Sequence, residues 1–255
     1  MSGPIAAVLG GALVAFRYLT TLPLPRSRVP GDLGRAAAWF PVVGLVLGGC
    51  LTLASLGVDR VAPPGVGGVL LVALWAALTG GLHLDGLADT CDGLGGAWSR
   101  DRALAIMRDA RSGPYGVTAI VLLLGLKAAA LASLPEGLAW RALVLAPVLG
   151  RVAPLLLVVL CPPARPEGAG HLFAAGARWP ALVVGGLIAV AVSFLTLGPW
   201  GALPLGVAGL FVWRLAAYLR RRLGGFTGDT LGALVETVET GVLTVAVSLD
   251  FLELA

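Results

Sequence analysis

Three aspartates, Asp85, Asp89 and Asp92, stand at i, i+4 and i+7 in the stretch Thr79-Gly-Gly-Leu-His-Leu-Asp-Gly-Leu-Ala-Asp-Thr-Cys-Asp-Gly-Leu-Gly-Gly. On a helix turning about 100° per residue they share an arc of roughly 60° on one face. Like charges so close repel, and the usual counterweights are a divalent cation or arginines. Hard oxygen donors without a Cys or His cage favour Mg2+ or Mn2+ over zinc, and Mg2+ characteristically bridges carboxylates to substrate phosphates. The spacing thus points to a metal-assisted site for a phosphate-bearing substrate. A solvated acidic loop is the plain alternative. Against it, glycines at 80, 81, 86, 93, 95 and 96 would let a bulky ligand approach the backbone. His83 is a candidate proton acceptor, but on an unbroken helix it points away from the Asp85 face. That role needs a break at Gly80-Gly81, and an orienting hydrogen bond competes with it.

Two further segments bear on an anion. Arg108 and Arg111 lie three apart on a short predicted helix ended by Ser112-Gly113-Pro114, so both could reach one phosphate. Asp109 between them could join the metal shell or pair with an arginine. Near the end, Gly224-Gly-Phe-Thr-Gly-Asp-Thr-Leu-Gly-Ala places Asp229 between Thr227 and Thr230 in a glycine-rich loop. Its backbone N–H groups could hold phosphate, or its carboxylate could reach the metal; a helix-capping turn is the competing reading. A P-loop is excluded, because GxxxxGK[ST] and its lysine are absent.

These segments must be held by something apolar. Of 255 residues 58% are hydrophobic and 13% charged, with mean hydropathy +0.92, whereas soluble domains carry about 25% charged residues. Six blocks are long enough to cross a bilayer: Ala36 to Val58, Val66 to Leu82, Tyr115 to Leu134, Trp140 to Leu160, Pro180 to Leu197 and Ala202 to Leu219. Two terminal blocks are weaker. Ile5 to Leu22 contains Arg17, and Leu231 to Leu254 contains Glu236 and Glu239; each spans, lies in the interface or re-enters. The expected fold is all-α, a single membrane-embedded domain over residues 1–255 with six to eight transmembrane or re-entrant helices. The first block, with no basic n-region or clear cleavage site, is read as retained.

Basic residues alternate along the chain. One set of loops holds Arg26, Arg28 and Arg35, then Arg100, Arg102, Arg108 and Arg111, then Arg165 and Arg178, then Arg220, Arg221 and Arg222; the opposite loops hold only Arg60 and Arg141. The richer set reads as cytoplasmic, with both polar segments on that side. The net charge of +4 then records orientation, and no nucleic-acid partner is expected. Lys127, Arg151, Arg214 and Glu236 lie in or near apolar blocks and should face the bundle interior. Cys50, Cys91 and Cys161 are odd in number and widely spaced, so they indicate neither disulfides nor zinc.

The run Thr79 to Gly96, with its H-x-D-G-x-x-D-x-x-D-G pattern, closely resembles the cobalamin synthase family. So do Ile106-Met-Arg-Asp-Ala-Arg-Ser-Gly-Pro-Tyr-Gly, Gly224 to Ala233, Phe16-Arg-Tyr-Leu-Thr-Thr-Leu-Pro-Leu-Pro and Trp39-Phe-Pro-Val-Val-Gly. The resemblance covers nearly the whole chain. It implies a multi-pass enzyme of the inner membrane, with a cytoplasmic site, that joins α-ribazole or its 5′-phosphate to adenosylcobinamide-GDP and releases GMP. It also implies Mg2+ dependence. Carried onto this sequence, Asp85, Asp89 and Asp92, with Asp109, would hold metal, and Arg108 and Arg111 would balance the diphosphate. His83 or a metal-shell aspartate would take the hydroxyl proton, and Thr227, Asp229 and Thr230 would contact substrate. Homo-oligomers and association with other cobalamin-pathway enzymes are the partner states open at this point. CDP-alcohol phosphotransferases are the nearest rival, but they carry D-G-x-x-A-R where this chain has Ala88-Asp89. A cation-coupled transporter is the non-enzymatic rival.

Overall fold

The computed structural model describes residues 4–24, 36–176 and 179–254. Arg26, Arg28, Arg35 and Arg178 therefore lie outside the described residues. The helices are α1 (Pro4–Leu19), α2 (Phe40–Val61), α3 (Pro64–Thr79), α4 (Leu82–Gly95), α5 (Arg100–Ile106), α6 (Pro114–Ser133) and α7 (Glu136–Leu160). They are followed by α8 (Ala169–Gly176), α9 (Trp179–Leu197), α10 (Ala202–Arg222) and α11 (Gly228–Phe251). No strand occurs among the described residues, only an isolated bridge between Pro163 and Phe226.

Five apolar stretches are long enough to cross a membrane: Phe40–Val61, Pro114–Ser133, Glu136–Leu160, Trp179–Arg222 and Gly228–Phe251. The fourth has 44 residues, far more than the roughly 20 a bilayer core needs. The 3-10 turn Gly198–Gly201 divides it into α9 and α10. The predicted span Val66 to Leu82 behaves differently. Helix α3 has 16 residues and stops at Thr79, and α4 leaves it at a bend of 93°. Gly80 and Gly81, at φ +62° and +68°, make that corner. Two successive left-handed residues cost any side chain dearly, and glycine takes the conformation freely.

Helices α7 and α11 form the centre. Helix α2 packs on α7 through Gly44 and Gly48, where an added Cβ would lie 2.6 Å from Pro147 O and 2.7 Å from Val144 Cα. Small residues let the backbones touch where no hydrophobic drive separates helix from lipid. The weaker terminal block of the sequence is thus the best-buried partner of α7, because its acids are matched inside the bundle. Lys127 of α6 donates at 2.6 Å to both Glu236 and Glu239, Arg151 of α7 donates to Glu239, and Lys127 also lies 4.4 Å over the Trp75 ring. All four charged residues are at most 4% exposed. Lys127, Arg151 and Glu236 thus face the interior as expected, whereas Arg214 does not: it is exposed on α10, 5.9 Å from the ring of exposed Trp213.

Candidate active site

The ends of α1, α3, α7 and α10 and the starts of α2, α6, α9 and α11 share one end of the bundle, and α4 crosses beneath them. The decisive contact is the crossing of α4 and α11. A Cβ on Gly86 would stand 2.7 Å from the Asp229 carbonyl oxygen, and one on Gly232 would stand 3.2 Å from that of His83. Two glycines thereby let two acidic helix starts meet. Asp85 and Asp229 line one cavity of about 160 Å3 with His83, Arg151, Tyr18, Phe40 and Phe173. Asp89, one turn further along α4, is half-buried and within electrostatic reach of Asp85, Asp229, Asp92 and Arg165.

The start of α11 is fixed by its own threonines. Thr227 is the N-cap, its hydroxyl accepting from Thr230 N–H at 3.3 Å while its own N–H donates to Thr230 Oγ1 at 2.9 Å. This reciprocal capping box satisfies donors that the first turn leaves free. The Thr227 hydroxyl also donates to Asp229 Oδ2 at 3.2 Å. The loop after α7 is stitched beside it: Phe226 N–H donates to Pro162 O at 2.9 Å and Ala164 N–H to Phe226 O at 2.7 Å. That stitching delivers Arg165, whose Nη1 lies 3.8 Å from Asp229 Oδ2 while Nη2 donates to Leu104 O. Burial pushes the Arg165 guanidinium below its ordinary range; Asp229 and Asp89 oppose that shift and neighbouring Arg108 adds to it.

The match to known proteins runs along the whole of this framework. Residues 11–247 match the family described as cobalamin-5-phosphate synthase. The chain belongs to that family. It is 47% identical over 235 residues to the adenosylcobinamide-GDP ribazoletransferase of Stutzerimonas stutzeri A1501, covering 91% of this chain and 95% of that protein. The protein of the same name from Pseudomonas aeruginosa UCBPP-PA14 is 45% identical over 244 residues, with 92% and 96% covered. That from Roseiflexus sp. RS-1 is 42% identical over 245, with 94% and 89% covered. No solved structure matches.

In this cobalamin-5-phosphate synthase family member the acidic residues divide differently from the i, i+4, i+7 reading. Asp92 turns to the start of α6, where its two oxygens accept from Gly113 N–H at 2.6 Å and Gly116 N–H at 2.8 Å. An acid at a helix N-terminus meets free donors and the positive end of the dipole. Asp92 is a brace between α4 and α6 that also stands within electrostatic reach of Asp89. Replacing it by alanine is expected to lower stability by about 1–2 kcal/mol, read as a drop in thermal midpoint in detergent; an unchanged midpoint would show the brace idle.

The arginine expectation changes too. Helix α5 ends at Ile106, so Arg108 and Arg111 share no helix face. Arg111 folds onto Asp109, with Nη2 at 2.6 Å and Nε at 3.0 Å from its oxygens. These hydrogen bonds and the Arg111 N–H hold the Asp109 carboxyl down at about 2. The pair is exposed and self-satisfied, which takes Asp109 out of the metal shell and leaves Arg165 as the cation paired with Asp229, with exposed Arg108 near Arg165. Thr227 and Thr230 are 3% and 0% exposed, so they shape the loop rather than meet substrate. His83 is buried on the corner made by Gly80 and Gly81, and its Nδ1 has no hydrogen-bond partner among the described residues.

The residues present fit a magnesium ion of the open kind. Among the described residues no group of three or more His, Cys, Asp or Glu side chains stands close enough to hold a metal ion together. Mg2+ needs only one or two carboxylates when waters and phosphates fill its shell. Asp85 and Asp229, with Asp89 beside them, supply such hard oxygen donors.

Proposed function

We propose that this chain is an adenosylcobinamide-GDP ribazoletransferase of the inner membrane. It joins α-ribazole, or its 5′-phosphate, to adenosylcobinamide-GDP and releases GMP. The observation that carries the reading is the meeting of Asp85 and Asp229 across the Gly86 and Gly232 crossing, in a chain that matches the family over residues 11–247. Asp85 and Asp229 would hold Mg2+, with Asp89 beside them. When bound, the ion supplies positive charge to the diphosphate and orients it. Arg165, held on Asp229 and Leu104 O, adds a fixed cation beside these acids, in keeping with a reaction that depends on positioning and electrostatic stabilisation. The attacking ribose oxygen forms a bond to the phosphorus that carries the cobinamide ester, and the phosphoanhydride bond to GMP breaks. The hydroxyl proton passes to a group lining the same cavity, where His83 and the two carboxylates stand.

The basic loops support a cytoplasmic site. Arg100 donates to Leu223 O and Ala164 O, Arg222 to Trp98 O, and Arg220 to Leu160 O. The described arginines of the richer set are thus drawn to the end that bears the acids, the side that short Arg-rich loops keep in the cytoplasm.

The test is turnover by purified protein in lipid nanodiscs. Adenosylcobinamide-GDP and α-ribazole should yield GMP and adenosylcobalamin, EDTA should stop the reaction and Mg2+ should restore it. Asp89→Asn should abolish turnover with membrane insertion intact. Product formed at the full rate in EDTA would remove the metal role, and no product under any condition would remove the reading itself.

A further inference from the structure

The cavity has one side that the phosphoryl chemistry does not use. Tyr18, Phe40 and Phe173 line it as a run of nearly parallel rings, with centroids 6.5 and 5.3 Å apart and interplanar angles of 19° and 20°. Leucines from three helices and Pro154 continue this apolar wall. Set into it is Arg151, only 1% exposed. One of its nitrogens donates to Glu239, whereas Nε and Nη2 are buried without a hydrogen-bond partner among the described residues. Buried guanidinium N–H groups left unmatched are costly; these two are closed off from the cavity that Arg151 lines, so an acceptor arriving with a ligand meets them as the side chain turns toward it.

Charge bookkeeping selects the kind of acceptor. Lys127 and Arg151 are already balanced by Glu236 and Glu239. An anion placed against Arg151 would add unbalanced negative charge; a neutral acceptor would not. The volume of about 160 Å3 lies below the roughly 300–1,000 Å3 of sites for drug-sized ligands, so it suits one bicyclic ring system and not a corrin.

We propose that Arg151 is a specificity-determining residue that reads the base of the acceptor nucleoside. The neutral bicyclic base packs against the ring edges of the Phe40 and Phe173 wall and accepts from Arg151 through its free in-plane ring nitrogen. This inference rests on the ribazoletransferase reading above. The base of α-ribazole, 5,6-dimethylbenzimidazole, carries one such nitrogen, no N–H donor and two methyl groups suited to apolar walls. Guanine would strand its own N–H groups there. With the base in this wall, the attached ribose lies on the side of Asp85 and Asp229.

The experiment compares α-ribazole with the ribosyl analogue that has C–H in place of the free ring nitrogen. Wild-type protein in nanodiscs is assayed beside Arg151→Lys and beside the charge-balanced pair Arg151→Met with Glu239→Gln, which guards against misfolding of a single variant. In wild type the analogue should show a KM at least about tenfold higher, with KM for adenosylcobinamide-GDP unchanged. In the Arg151 variants the two acceptors should become equal. Wild-type turnover that does not distinguish the acceptors overturns the inference and leaves the ribazoletransferase reading intact. A KM rise confined to adenosylcobinamide-GDP would assign Arg151 to guanine, and one confined to α-ribazole 5′-phosphate would assign it to that phosphate; either overturns the proposal. Absence of wild-type turnover would instead fail the parent reading, and binding of 5,6-dimethylbenzimidazole alone, measured calorimetrically on wild type and variants, then decides the pocket separately.

Discussion

Glu239→Leu is expected to cost about 3–5 kcal/mol, enough to unfold a marginal protein or deplete it from the membrane. Glu239 is 0% exposed and touches both buried cations, Lys127 and Arg151. Removing it leaves Glu236 as the one carboxylate in the group and Arg151 without its ion pair. The loss is set by the stranded charge, because desolvated ions gain little by themselves and much from each other. Thermal unfolding in detergent checks it against Leu53→Ala, a site 72% exposed on the outside of α2, where the change should be small. Equal midpoints for the two variants would show that the buried charges are not coupled as their distances indicate.

Gly86→Leu should be the most damaging substitution near the site that changes no polar group. Its Cβ would stand 2.7 Å from Asp229 O and 3.2 Å from Gly232 Cα, both backbone, so the helices must separate. The strain is about 1–3 kcal/mol, but the larger effect is on rate. Misplacing positioned groups by about 1 Å can cost on the order of 100-fold, and here Asp85 moves away from Asp229. A loss of turnover of that order, with protein still inserted, is the expected result. Gly57→Ala, where an added Cβ meets nothing within 4 Å, should keep full turnover. Wild-type rates for Gly86→Leu would mean that the two carboxylates need not meet.

Much of this was legible in the chain itself. Long apolar blocks specify helices, because a bilayer constrains their length so strongly. The acidic cluster was also visible, whereas the corner at Gly80-Gly81 entered only as a condition on a role for His83, since the expected span Val66 to Leu82 ran through it. What spacing could not reveal is which acids meet. Asp92 shares a helix face with Asp85 and Asp89, yet two N–H groups at the start of α6 capture it. Asp229, distant in sequence, takes the third place because glycines on both helices permit contact. Arg165 carried no local signal, since the stitching of Pro162 and Ala164 to Phe226 is a long-range event. The last helix read as weak because its glutamates count against a span until their partners on α6 and α7 are known.

The central claim is that α4 and α11 together, through Asp85 and Asp229, make the metal-binding acid pair, while Asp92 braces α6. The direct test is turnover as a function of Mg2+ concentration for wild type, Asp229→Asn and Asp92→Asn. The account predicts that Asp229→Asn loses at least about 100-fold in rate and needs far more Mg2+ for half-maximal activity, as removal of a positioned charge in a phosphoryl-transfer site should. Asp92→Asn should melt earlier but keep the wild-type Mg2+ requirement. The reverse pattern, with Asp229→Asn unaffected and Asp92→Asn shifted in its metal dependence, would contradict it.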